Sequence, residues 1–165
     1  MAGVRRALDP RICNVAIDAN SLDRPDSMRA EAVDRLIALY QSERIRLIVP
    51  KGVREEFQHA RTPSHVKAAG LPQIFTLQVG LTAEELRTRR EIELELQGNA
   101  RPETHAADAD HLFESAKYCA YFITHDQRIL DKAGKLRDTL PPSLTVVTLV
   151  DFLEIFDAYE AGRRI

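Results

Sequence analysis

Apolar residues in this chain fall into two alternating kinds of run. Asn14-Val15-Ala16-Ile17, Leu47-Ile48-Val49, Tyr121-Phe122-Ile123-Thr124 and Leu144-Thr145-Val146-Val147-Thr148-Leu149 are short and nearly unbroken, and rich in β-branched or aromatic residues, as buried strands are. Between them lie longer stretches at helical spacing. Ala30, Val33, Leu36, Ile37 and Tyr40 make one face of a helix from Ser27 to Tyr40, and Val53 and Phe57 predict a short helix after Pro50. Thr82-Ala83-Glu84-Glu85 is a capping box that starts a charged helix, expected to run to Gln97 and stop at Gly98. Its apolar stripe is poor, which predicts a surface position or a partner. Another helix is expected from Glu103 to Tyr118, and a last one carries Phe152, Leu153 and Phe156. Residues 1–12 read as an irregular lead-in and 20–26 as a loop, while Pro63, Gly70 and Pro72 interrupt 60–80. Strands that are apolar throughout must be covered on both faces. The expected fold is therefore one α/β domain over 1–165, a three-layer α/β/α sandwich around a mainly parallel sheet, with 58–104 its helical and least defined part.

Composition narrows the function classes. The chain has 165 residues, 44% of them apolar, enough for one core. Lys and Arg number 23 against 25 Asp and Glu, for a net charge of −2, which excludes coating a polyanion by bulk charge. It leaves room for nucleic acid held at a local site. Eighteen of the basic residues are arginine, the side chain that grips phosphate bidentately. Two cysteines are too few for a disulfide scaffold or a cysteine-built zinc site. No apolar run approaches a membrane span and the amino terminus has no signal-peptide core, so a cytoplasmic protein with reduced thiols is expected.

The candidate chemistry lies where strands end, because active sites of open parallel sheets form at the carboxyl ends of their strands. The first strand ends in Asp18 and the third in Asp126. The short helix after the second offers Glu55 and Glu56, and the helix before the third offers Asp108 and Asp110. Asp108 shares a helical face with Leu112, Ser115 and Cys119, whereas Asp110 lines up with Glu114 and Lys117, expected to be solvated; helical spacing thus favours Asp108 as the inward acid, and Glu56 over Glu55. Converging carboxylates repel one another, and a hard cation, Mg²⁺ or Mn²⁺, relieves that repulsion while keeping positions open for water and phosphate. Taken singly, each acid reads equally as a helix cap, a turn former or a dipole partner. His59, His65, His105 and His111 make no zinc spacing; His125 reads as a loop residue and His111 as packing.

Val15-Ala16-Ile17-Asp18-Ala19-Asn20 resembles the opening strand of the PIN-domain nucleases. Ile48-Val49-Pro50 with Val53 and Glu56 resembles that family's second strand and acidic helix. Asp108-Ala109-Asp110-His111-Leu112, then Ala116, then Phe122-Ile123-Thr124-His125-Asp126 resembles its segment of helix-opening aspartate and strand ending in Thr-x-Asp. Val146 to Leu149 through Phe152-Leu153 also fits, so the resemblance runs from about 14 to 157, loosely over 58–104. It implies a metal-dependent endoribonuclease that leaves a 5′-phosphate. Asp18, Glu56, Asp108 and Asp126 would be the catalytic, metal-binding acids, with Asn20 and Thr124 supporting them, and Mg²⁺ or Mn²⁺ the cofactor. Many small PIN proteins are VapC-type toxins, so an antitoxin partner and a homodimer are implied too. Arg24, Arg54 and Arg128 are the arginines nearest the expected rim and would track an RNA substrate.

Two other classes compete. A haloacid dehalogenase-like phosphatase also begins with a strand-ending aspartate, but it wants a second acid where this chain has Asn20, and no convincing serine or threonine plus lysine set follows. A non-catalytic PIN-like module that binds RNA or protein would not need all four acids.

Overall fold

The computed structural model describes residues 7–51, 53, 64 and 80–162. Among them four strands form one sheet: β1 (Asn14–Ile17), β2 (Arg46–Ile48), β3 (Tyr121–Ile123) and β4 (Thr145–Val147). All pairings are parallel and the order is β2-β1-β3-β4. The helices described from end to end beside the sheet are α1 (Ser27–Gln41), α2 (Ala83–Gln97), α3 (Ala106–Tyr118), α4 (Gln127–Leu136) and α5 (Leu149–Glu160).

Strand alternation sorts the core into two layers. Val15, Ile17, Tyr121 and Ile123 point to one face, where Val33 and Leu36 of α1 and Phe152 and Phe156 of α5 cover them. Tyr121 meets Phe152 edge to face, with ring centroids 5.4 Å apart. Ala16 and Phe122 point to the other face, under Ile92 and Leu96 of α2, Leu112 and Ala116 of α3, and Ile129 and Leu136 of α4. The result is the expected α/β/α sandwich. Each of the large side chains sealed in these layers contributes about 1.5–3 kcal/mol by leaving water.

The helix ends follow local chemistry. Asp26 caps α1 by accepting from the Arg29 amide at 2.8 Å. Thr82 and Glu85 form the reciprocal capping box of α2, and Gly98 leaves that helix at φ 52.

Some expectations need correction. Residues Ala19–Leu22 form a 3-10 turn instead of open loop, with the Asp18 carboxylate accepting from the Ala19 amide. The weakly striped α2 is not a detached surface helix: Ile92 and Leu96 are sealed in the core, and buried Glu93 is satisfied by Arg89 and Arg90. The Lys132 ammonium of α4 donates to the last carbonyls of α2, Glu95 and Leu96, tying the helices together. Helix α4 had no predicted counterpart. Its apolar residues Ile129, Ala133 and Leu136 nevertheless keep helical spacing, with Ile129 and Leu136 sealed in the core. Glu114, expected on a solvated face, is buried and accepts from the Lys51 amide at 3.1 Å. Strand β2 is shifted one residue toward the amino terminus of its apolar run, and β4 is shorter than its own.

Candidate functional site

The connections define where the sheet opens. From β1 the chain crosses through α1 on one face to β2; from β3 it crosses through α4 on the opposite face to β4. The segments leaving β1 and β3, which are neighbours, therefore part to opposite sides. This is the switch point of a parallel sheet, the place at the carboxyl ends of the strands where open α/β sheets generally form their ligand crevice.

Asp18 lies in that crevice, directly after β1. Its amide donates to the Ile123 carbonyl at 2.9 Å, continuing the sheet ladder by one residue. One carboxylate oxygen accepts from the Ala19 amide and the other from the Thr124 hydroxyl, both at 2.8 Å. The fully buried Thr124 hydroxyl in turn accepts from the Asp126 amide at 3.1 Å. Asn20 fixes the opposite lip: its side-chain oxygen accepts from the His125 amide at 2.9 Å. The two residues expected to play supporting roles thus tie the segment after β1 to the segment after β3.

Burial pushes the Asp18 carboxyl above the usual carboxylate range. The Thr124 hydroxyl, the His111 ring and the Ala19 amide pull it back, and the negative charge of Asp108 raises it again. Asp18 and Asp108, ninety residues apart in sequence, are therefore near enough in space to repel. His111, read as a packing residue, is buried on α3 and supplies part of the field that Asp18 feels. That electrostatic part has no signature in the sequence.

Asp126 is the N-cap of α4 and accepts from the Arg128 amide at 2.8 Å. The Arg128 guanidinium reaches back to Asp108 at 3.2 Å and toward Asp126 at 3.9 Å. Asp110 faces elsewhere and pairs with Arg89 of α2. Glu56, Glu55, Arg54, Phe57, His59 and His65 lie outside the described residues, so the fourth expected acid has no position here.

Among the described residues, no three His, Cys, Asp or Glu side chains close on one point. Asp108 acts on Asp18 through its charge. Their mutual repulsion fits a hard cation in kind, since Mg²⁺ is commonly held by one or two carboxylates with water and phosphate completing its shell.

The two cysteine thiols lie away from this point. Cys13 and Cys119 precede β1 and β3 at the opposite end of the sheet, and burial pushes their thiols up to about 11 and about 12. Of the arginines, Arg24 is paired with Asp34 at 2.5 Å. Arg29, not singled out from sequence, sits in the first turn of α1, donates to the Asn20 carbonyl at 3.2 Å, and its charge helps hold His125 neutral.

Fold and strand order together define a parallel α/β protein with a half-buried strand-end aspartate at its switch point. No family model, no curated protein and no solved structure matches this chain. Among the described residues, no helix is long and apolar enough to cross a membrane.

Proposed function

We propose that this chain is a divalent-cation-dependent nuclease of the PIN kind, hydrolysing RNA phosphodiester bonds in the cytoplasm. One observation carries the reading: Asp18, a half-buried carboxylate held by the Thr124 hydroxyl, stands at the switch point of a parallel sheet, and the charge of a second acid, Asp108, acts on it. Withdrawing a carboxylate from water near another acid is unfavourable, and such arrangements are enriched at sites that bind cations or do chemistry.

In this reading Asp18 and Asp108 hold Mg²⁺ or Mn²⁺, with Glu56 and Asp126 as the further acids. Bound there, the cation supplies an activated water and neutralises charge on the phosphate. The chain's own residues do the positioning. Thr124 orients the Asp18 carboxylate and is oriented by the Asp126 amide, while Asn20 keeps the two lips of the crevice in register. Arg29 and Arg128, whose guanidinium groups contact Asn20 and Asp108, would be the arginines nearest a bound phosphate. An antitoxin partner and a homodimer belong to the same proposal and add no residue to the site.

The phosphatase alternative is disfavoured because Asn20 cannot act as a general acid and its side chain is engaged by the His125 amide. The non-catalytic module has one observation in its favour: Asp126 is a helix cap and Asp108 is paired with Arg128. Purified protein, labelled single-stranded RNA and Mn²⁺ separate the readings. Cleavage by the wild type that falls to background in both Asp18→Asn and Asp108→Asn supports the nuclease. Undiminished cleavage in Asp18→Asn refutes it.

A further inference from the structure

Arg128 occupies an unusual position for a surface arginine. It is the third residue of the turn that begins at Asp126, yet its guanidinium folds back over the crevice. There one nitrogen, Nη1, approaches Asp108 at 3.2 Å, Asp126 at 3.9 Å and the ring nitrogen Nδ1 of His105. His105 Nδ1 also lies 3.2 Å from the same Asp108 oxygen. In a neutral ring an Nδ1 that accepts from a guanidinium cannot also donate to Asp108, so Arg128 is the donor common to both. One positive group thus gathers an imidazole nitrogen and two carboxylates contributed by α3 and by the turn after β3.

We infer that Arg128 is a built-in counter-ion that competes with the divalent cation for Asp108 and Asp126. The inference rests on the function proposed above and adds a mode of regulation to it. The pairs are poised for exchange. The side chains of Arg128, Asp108 and Asp126 are 40%, 32% and 22% exposed, so water screens their attraction. Such half-exposed pairs contribute little, and a divalent ion carries twice the charge to the same oxygens. Once the ion binds, Arg128 is released along a solvent-facing path at the mouth of the crevice, where a substrate phosphate would meet it. Protein without cation keeps its acids neutralised, and loaded protein gains a free guanidinium.

The test is Mn²⁺ binding to the full chain by calorimetry, with no RNA present. Arg128→Gln keeps the length and polarity of the side chain but not its charge. It is expected to bind Mn²⁺ about three- to tenfold more tightly than wild type, the range that a part-exposed pair worth about 1 kcal/mol can supply. Arg44→Gln, which removes an equal charge from the strand entrance where Arg44 pairs with Glu160, is expected to leave the affinity unchanged. Equal or weaker binding by Arg128→Gln overturns the inference, as does equal tightening in Arg44→Gln. The parent reading fails separately, when Asp18→Asn binds Mn²⁺ as well as wild type does; specific tightening in Arg128→Gln would then still locate a competing cation at Asp108 and Asp126. If neither wild type nor Arg128→Gln binds, both ideas fall together.

Discussion

Thr124 offers the sharpest test of how the crevice is held. Its hydroxyl is fully buried, donates to Asp18 and accepts from the Asp126 amide. Thr124→Val keeps the shape and deletes both bonds. Loss of a hydrogen bond to a charged partner costs about 1.5–3 kcal/mol and loss of the neutral one about 1 kcal/mol, for a sum near 3 kcal/mol. Thr124→Ser keeps the hydroxyl and removes one buried methyl, about 1 kcal/mol. The valine variant should therefore be less stable than the serine variant by about 2 kcal/mol, or roughly 4–8 °C in melting temperature for a chain of this size. The gap should also depend on pH. Burial raises Asp18, and the Thr124 hydroxyl opposes that rise, so its removal pushes Asp18 up further. At the acid end Asp18 is protonated in both variants and the hydroxyl matters least. As pH rises through the Asp18 titration the valine variant must ionise a less stabilised carboxylate, and the gap widens until both are ionised. Denaturant unfolding of both variants in chelator, from about pH 4 to about pH 8, measures it. Equal stability of the two, or a gap that does not widen with pH, refutes the role assigned to Thr124. In an RNA cleavage assay the valine variant should lose about 10–100-fold, the usual effect of removing a group that orients a metal ligand.

Asp18→Asn should abolish cleavage yet melt no lower than wild type in chelator, since it removes a buried charge; a large drop in melting temperature would mean that the carboxylate is structural. Asp110→Asn, which breaks a half-exposed pair with Arg89, should cost about 0–1 kcal/mol and leave cleavage intact, whereas Asp108→Asn should lose it; equal activity loss in the two would reject the choice between them. His125 accepts from the Leu149 amide at 3.4 Å, and burial, then the Arg29 charge, hold its ring below the ordinary 6.5. A base with a depressed folded pKa adds stability above 6.5 that is lost as pH falls below it, so wild type should lose stability on acidification through that range and His125→Gln should lose less. Lys132→Met deletes the ammonium that caps the end of α2 and should lower stability by about 1–2 kcal/mol with no effect on Mn²⁺ binding, as read by thermal unfolding and calorimetry.

Much of the architecture is legible without coordinates. The run Asn14 to Ile17 is apolar on both faces of a strand, and that alone requires a sheet covered twice. The capping box at Thr82 and the stop at Gly98 bound α2 to the residue, because both signals act within one turn of chain. Helical spacing also separated Asp108, close enough to affect Asp18, from Asp110, which pairs with Arg89. Helix α4 is legible in principle, since Ile129, Ala133 and Leu136 keep helical spacing, whereas local periodicity sets Glu114 in solvent although the β2 exit lies against it.

What tertiary structure alone decided is the company each acid keeps. Strand order brings β1 beside β3 across more than a hundred residues, and only that adjacency puts the Thr124 hydroxyl on Asp18 and Asn20 on the His125 amide. Sequence places Arg128 near the expected rim as an arginine for RNA; only folding turns it back onto Asp108 and His105. Periodicity and caps are short-range properties written in neighbouring residues. Charge repulsion, desolvation and hydrogen bonding between remote segments depend on distances that exist only once the sheet has formed.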